Sequence, residues 1–233
     1  MKKSIFLSII YFSYFSVFSQ KINSKSKVVR GSDNPKTTVH FKDNFSVRMD
    51  KSLYKKCNTA RFSFYMGKQA KRTILLMNLS RVAPVFFADS ILIKYDGTVK
   101  QKNRRYIESL YRDLKELEVM QVLKPSIGLW LSAFSHALIS GITSYEGHRG
   151  LKLRLRLFLN LNGTYGENCD YGPRNALDIV MDLLIDEGIP GVGHRENILS
   201  EKFYRVGVSK KWHFQYRRNT VMDFSGKKFL DLF

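Results

Sequence analysis

The sequence predicts an α+β layered domain, and three observations carry that reading. Four segments between residues 68 and 139 place apolar residues at three- and four-residue spacings, as helices with one buried face do. A further long helical segment lies near residue 180, and two short β-prone runs close to the C-terminus are separated by a basic stretch, as in a hairpin. Helices first, then a segment of strand character, a long helix and two more strands, is the order of an α+β chain rather than of regularly alternating βα units.

The chain has 233 residues, 44% hydrophobic and 13% aromatic. That is enough apolar material to fill the core of one domain, and it excludes a disordered chain. Lys2 and Lys3 precede an apolar run from Ile5 to Phe18, the pattern of an export signal with cleavage near Gln20. The run is shorter than the roughly 20 residues needed to cross a bilayer, and polar, basic sequence follows it. An exported protein, secreted or periplasmic and not integral to a membrane once the signal is removed, is the expectation. No cysteine stands at the boundary to take a lipid.

Lys and Arg number 39 against 20 Asp and Glu, a formal charge of +19, and loss of Lys2 and Lys3 leaves +17. Such a surplus suits an anionic lipid, glycan or protein surface, although a solubilising Lys-rich surface gives the same count. Nucleic acid is not expected, because no nucleic-acid-binding motif is present. Cys57 and Cys169 are the only cysteines, so one disulfide is permitted in an oxidising compartment and its formation is left open.

In chain order, residues 21–57 are polar and basic, punctuated by Gly31-Ser32-Asp33-Asn34-Pro35, and read as an N-terminal extension or linker with a short edge strand around Thr37 to Phe41. Lys68 to Arg81 is a helix through Ile74, Leu75, Met77 and Leu79, ended before Pro84. A second helix is expected over Val85 to Lys94, then a turn at Asp96-Gly97. Tyr106 to Val119 is helical through Ile107, Leu110, Leu114 and Leu117. Pro125-Ser126 introduces a helix over Ile127 to Ile139, with Leu129, Ser132, Ala133 and His136 on one face, which makes His136 a core or boundary histidine before a ligand.

Leu151 to Leu159 fits two templates. Leucines at every second position suit a half-buried strand, while Leu151, Leu155, Phe158 and Leu159 suit a helical stripe; Asn162-Gly163 is a turn after it. Asn175 to Asp186 is a helix with Ala176, Ile179, Val180, Leu183 and Leu184 inward, ended by Gly188 and Pro190. Phe203 to Val208 and Thr220 to Phe224 are strands of a hairpin whose long basic loop is Lys210 to Arg218. That loop interleaves Trp212, Phe214 and Tyr216 with charges, either to meet an anionic surface or as a strand pair with aromatics on one face.

Several motifs recur in an order that resembles a known family. Tyr165-Gly166-Glu167-Asn168, a helix, Gly193-His194-Arg195-Glu196-Asn197-Ile198-Leu199, then Phe203 to Val208 and Met222-Asp223-Phe224 resemble the CAP superfamily, the cysteine-rich secretory, antigen 5 and pathogenesis-related group also called SCP domains. Met77-Asn78-Leu79-Ser80-Arg81 with Pro84 and Phe87-Ala88 looks like that family's first helix, and Gly147-His148 looks like its first cleft histidine after Ser135-His136-Ala137. The resemblance covers residues 58–226 and leaves a tail at 227–233. It implies a three-layer α-β-α sandwich with a central, mainly antiparallel sheet.

It also implies a cleft lined by His148, Glu167, Asp186 and His194, with Glu187 as the alternative second acid. Two neutral imidazoles could hold a divalent metal such as zinc through His148 and His194, with the carboxylates completing the shell or orienting the rings. Without a metal, which the site does not require, the same groups form a hydrogen-bonded network joining three segments. Arg149, beside His148 in sequence, would oppose a cation. Cys169 is expected to point away from Glu167, on the other face of a strand, and Thr220 stands where the resemblance implies its disulfide partner. No activated nucleophile accompanies the histidines, so a catalytic role is not the first reading. The favoured function is a non-catalytic module binding a lipid, glycan or protein. A metal-assisted hydrolase of extracellular or envelope polymers, and a domain whose cleft is purely structural, are the alternatives.

Overall fold

The computed structural model describes residues 34–96, 104–159, 163–172 and 174–226. The signal segment, residues 21–33 of the extension, Gly97 and Asn162 of the two expected turns, and the 227–233 tail lie outside the described residues.

Chain order begins with a hairpin, β1 (Lys36–Lys42) and β2 (Phe45–Asp50), antiparallel with Val39 opposite Val47. Its alternation is weak in sequence because only Phe41, Phe45, Val47 and Met49 turn fully inward, and these join the main core. Helix α1 (Lys51–Cys57) follows and buries Cys57. The stretch expected as a linker thus carries, from Lys36 onward, a hairpin and a helix that share that core.

Helix α2 (Lys68–Val82) is the central one, and every residue from Thr73 to Val82 is buried. It packs against both the later sheet and another helix, which is why it lacks the polar face that its spacing suggests. The next segment is not one regular helix. It runs as α3 (Pro84–Phe87), a single π-type turn (Ala88–Leu92) and α4 (Ile93–Asp96). Helix α5 (Arg104–Glu116) buries Leu110 and Leu114, and α6 (Ile127–Thr143) starts where the Ser126 hydroxyl accepts the Leu129 N–H. Leu151–Leu159 folds as α7, settling the strand-or-helix choice in favour of the stripe Leu151, Leu155, Phe158 and Leu159 that packs with Leu129.

A four-stranded sheet has the order β3-β5-β6-β4, where β3 is Lys124–Pro125, β4 Tyr165–Tyr171, β5 Arg205–His213 and β6 Arg217–Ser225. All pairs are antiparallel except the two-residue contact of β3 with β5. The long loop expected between the last strands is absent. Both strands continue into it, leaving a turn of Phe214 to Tyr216. Of the three aromatics only Trp212 stands on a strand, exposed beside Phe214, while Phe214 and Tyr216 lie in the turn; hydrogen bonding extends the strands beyond the β-prone residues. Tyr216 turns inward, its ring against Tyr171 and His213.

Helices cover both faces. Val206, Val208, Met222 and Phe224 share the core of α2 and of α8 (Ala176–Ile185). Val221 and Cys169 pack on Ala133 and Ala137 of α6. Gly207 permits the close seating of α6, because a Cβ there would stand 2.1 Å from the Trp130 nitrogen. The architecture is α+β, helix layers around a mainly antiparallel sheet.

Candidate functional site

The two motif segments are held by buried polar side chains whose types the local geometry demands. Arg81 of α2 is wholly buried and donates to the carbonyls of Gln121, Ile198, Ser200 and Phe203. It thereby ties α2 to the end of α9 (Gly193–Ile198), and burial lowers its pKa to about 10. Arg195 of α9 donates to the carbonyls of Leu184 and Ile185, which the end of α8 leaves without helical partners, and pairs with Asp113 at 2.8 Å. Asn78 bridges the backbone of Cys57 and Leu123.

On β4 Gly166 and Asn168 both face Asn197, and Glu167 between them faces the other way. A Cβ at Gly166 would lie 2.8 Å from the Asn197 side chain. Asn168 donates to the His194 carbonyl at 2.9 Å and accepts from Asn197 at 2.8 Å. Glu167, on the opposite face, is 3.0 Å from His148 Nδ1 and forms a buried pair with Arg154 of α7. One strand therefore holds both walls of the site.

The expected four residues form two histidine–carboxylate pairs. His148 Nδ1 donates to Glu167 Oε1, and His194 Nδ1 donates to Asp186 Oδ1 at 2.7 Å. Each carboxylate accepts from Nδ1, so each neutral ring is held with a lone pair on Nε2. Among the described residues neither Nε2 has a hydrogen-bonding partner. Asp186 closes α8 in the left-handed region, φ 55°, which Asp tolerates better than most residues, and its Oδ2 also accepts the His194 N–H at 2.8 Å. Glu187, the alternative acid, makes no such pair among the described residues. His148, Cys169, Asp186, Glu187 and His194 line one cleft of about 520 Å³.

Beneath this cleft lies a polar cluster that the sequence reading did not assemble. Gly207, Asp223 and Glu167 stand in one register row across β5, β6 and β4, facing Ser132 of α6. Burial and the neighbouring Glu167 push Asp223 well above the usual carboxylate range, which favours its protonated form. Burial also works against ionised Glu167, but the hydrogen bond from His148 and the charge of Arg154 help to outweigh it and hold its pKa down. The Asp inside the apolar run Val221-Met222-Asp223-Phe224 was a visible signal. So was Arg154, which stands three residues after Leu151 and four before Phe158, on the buried stripe of the helical reading.

His136 is a buried core histidine whose Nε2 donates to the Gly147 carbonyl at 2.8 Å, and burial lowers its pKa. Cys169 does not point away from Glu167. Residues two apart share a strand face, and its sulfur lies 3.9 Å from His148 Nδ1. Cys57 and Cys169 are both free and buried. Burial raises the Cys169 thiol well above its usual pKa, so it is a poor nucleophile, and raises Cys57 to about 12. The guanidinium that lines the cleft is that of Arg174, while Arg154 is buried against Glu167. Arg149 lies over the Tyr145 ring, 5.7 Å from its centre.

As for metal, a set of three ligand atoms all within 4.8 Å of one another occurs, among the described residues, at His136, Glu167 and Cys169 and not at the two cleft histidines.

No protein-family model and no curated protein sequence matches the chain. Among solved structures it is similar to an extracellular protein containing a SCP domain from Bacillus anthracis, at 17% identity and a TM-score of 0.38, over 53% of this chain and 39% of that one. It is similar also to an outer surface protein of Borrelia burgdorferi, at 17% identity and a TM-score of 0.41, over 56% of this chain and 98% of the other. A third is a cysteine-rich secretory protein of Staphylococcus aureus, at 13% identity and a TM-score of 0.36, over 86% of this chain and 68% of that one. The chain thus spans well under half of the Bacillus protein. Two of the three are described as a protein containing a SCP domain and a cysteine-rich secretory protein.

Proposed function

We propose that the chain is an exported CAP-type binding module that takes a polar ligand in the cleft between His148 and His194 without transforming it. The observation that carries this reading is the pair of dyads. Each imidazole is fixed by a buried carboxylate, and each is left with an acceptor nitrogen, an arrangement suited to receiving hydroxyl or amide donors. The order of the sequence motifs supports the family, and the apolar leader supports export. Against turnover stands the thiol at the floor, buried and held protonated, with no hydroxyl nucleophile among the residues lining the cleft other than Tyr171. A divalent cation, if bound by the two histidines, would supply a Lewis acid there. The chain's own residues then orient the rings, and Arg154 balances Glu167.

The test is a ligand screen by NMR with soluble glycans and glycolipid headgroups. The reading expects the ring signals of His148 and His194 to shift with at least one of them, and that compound to be recovered intact. Hydrolysis of a bound compound that stops on removing divalent metal would favour the hydrolase instead. Silence of both rings across the panel would leave the cleft a structural network.

A further inference from the structure

Two other clefts open on either side of Lys68 at the start of α2. One, of about 590 Å³, lies between β1, α1 and α2 and is lined by Thr37, Thr38, Arg61, Lys68, Lys71 and Arg72. The other, of about 470 Å³, is lined by Tyr65, Lys68, Trp130, Lys210, Lys211 and Arg218. Together they present seven Lys and Arg side chains and no carboxylate. Among the described residues none of the seven is in an ion pair; Lys71 and Lys210 reach only the carbonyls of Arg61 and Arg174. Seven like charges around two concave surfaces raise the local potential and concentrate anions there.

The second cleft also has a ring wall. Trp130 lies between Tyr65 and Phe134, with centroids 5.3 and 5.2 Å away, and Lys211 sits 4.1 Å above Phe134. Apolar ring surface beside fixed cations matches a sugar that carries an acid group, one CH face against the wall and the acid on the cations. The shared Lys68 makes the two clefts consecutive stations for a chain longer than one sugar. Asn58 and Gln69, the amides in these clefts that could read a base edge, are already bonded to Tyr54 and to the Ala176 N–H. The threonine hydroxyls remain for a polar chain.

We propose that these two clefts are one binding site for an acidic polysaccharide, separate from the His148–His194 cleft and independent of what that cleft binds. The test uses the full chain and a sulfated glycosaminoglycan dodecasaccharide, titrated at several salt concentrations. Binding should weaken about tenfold in Lys68→Gln/Arg72→Gln, with a shallower salt dependence. The double variant Lys152→Gln/Arg156→Gln, which removes the same charge from exposed positions of α7 outside either cleft, should change affinity by less than about twofold. Tyr65→Ser should weaken binding about fivefold at an unchanged salt slope, because it removes ring surface and no charge. Equal losses in the two double variants would overturn the site in favour of net charge alone. Single-stranded DNA of matched charge binding as tightly, and competing, would overturn the polysaccharide in favour of nucleic acid. No binding of the dodecasaccharide at low salt would overturn both.

Discussion

Glu167 Oε1 lies 3.0 Å from His148 Nδ1, and the two residues come from segments that no backbone pairing joins. The same carboxylate holds Arg154 of α7. One buried acid thereby fixes the position of a loop and a helix against β4.

Glu167→Gln should leave the Arg154 guanidinium buried without its counter-charge, and stability should fall by about 3 kcal/mol. Urea unfolding measures it. Glu167→Gln/Arg154→Met should recover most of the loss, since the uncompensated charge is then gone. A double variant no better than the single one would show that the pair contributes through shape rather than charge.

Asp186→Ala removes three acceptor contacts at once, to His194 Nδ1 and to the N–H groups of His194 and Arg195. A loss of about 1–2 kcal/mol is expected from the lost cap. Hydrogen exchange should accelerate in α9 before it does in α2. Uniform acceleration across the domain would contradict this local role.

Asp170 gives a pH signature. Its side chain is buried, Oδ1 bonds Arg174 at 2.6 Å, and Oδ2 has no partner among the described residues. Burial raises its pKa from 3.8 to about 6, and Arg174 opposes this only in part. The salt bridge alone would argue for a lowered value, but Arg174 is partly exposed and shared with Asp182, so burial prevails. The folded protein then holds this proton more tightly than the unfolded chain does, and stability falls as pH rises from about 4 to about 6. Relative to Asp170→Asn, the wild type should lose on the order of 3 kcal/mol across that window. A difference that stays flat from pH 4 to 7 would place the carboxyl in the ordinary range.

Gly207→Ala puts a methyl 2.1 Å from the Trp130 nitrogen, against backbone that cannot turn aside. Either α6 lifts from the sheet or the domain fails to fold, with an expected cost above about 3 kcal/mol. Circular dichroism melting decides, and a loss under 1 kcal/mol would mean that α6 is not seated there.

Much of this was legible in the sequence, and the rest fails for stated reasons. The helices at residues 68, 127 and 176 announced themselves by apolar spacing, and motif order named the four residues that the fold pairs as His148 with Glu167 and His194 with Asp186. The segment 151–159 was not decidable, since alternating leucines satisfy both periods and only packing on Leu129 chooses. In residues 36–50 the edge strand at Thr37 to Phe41 is legible, but its partner Phe45–Asp50 reads as linker because half of each strand stays polar. The floor of the site was missed because Asp223, Arg154 and Glu167 are far apart in sequence and meet only through sheet register and the seating of α7. The hairpin was read too short, because hydrogen bonding to a neighbour extends a strand through residues that do not favour one.

The central claim is that two buried carboxylates set the tautomer of two cleft histidines. Long-range proton–nitrogen NMR correlations of the ring nitrogens at pH 8 test it most directly. Both His148 and His194 should carry their proton on Nδ1, with Nε2 bare, and Asp186→Asn should disturb His194 while leaving His148 alone. A proton on Nε2 of either ring in the unliganded protein would contradict the account.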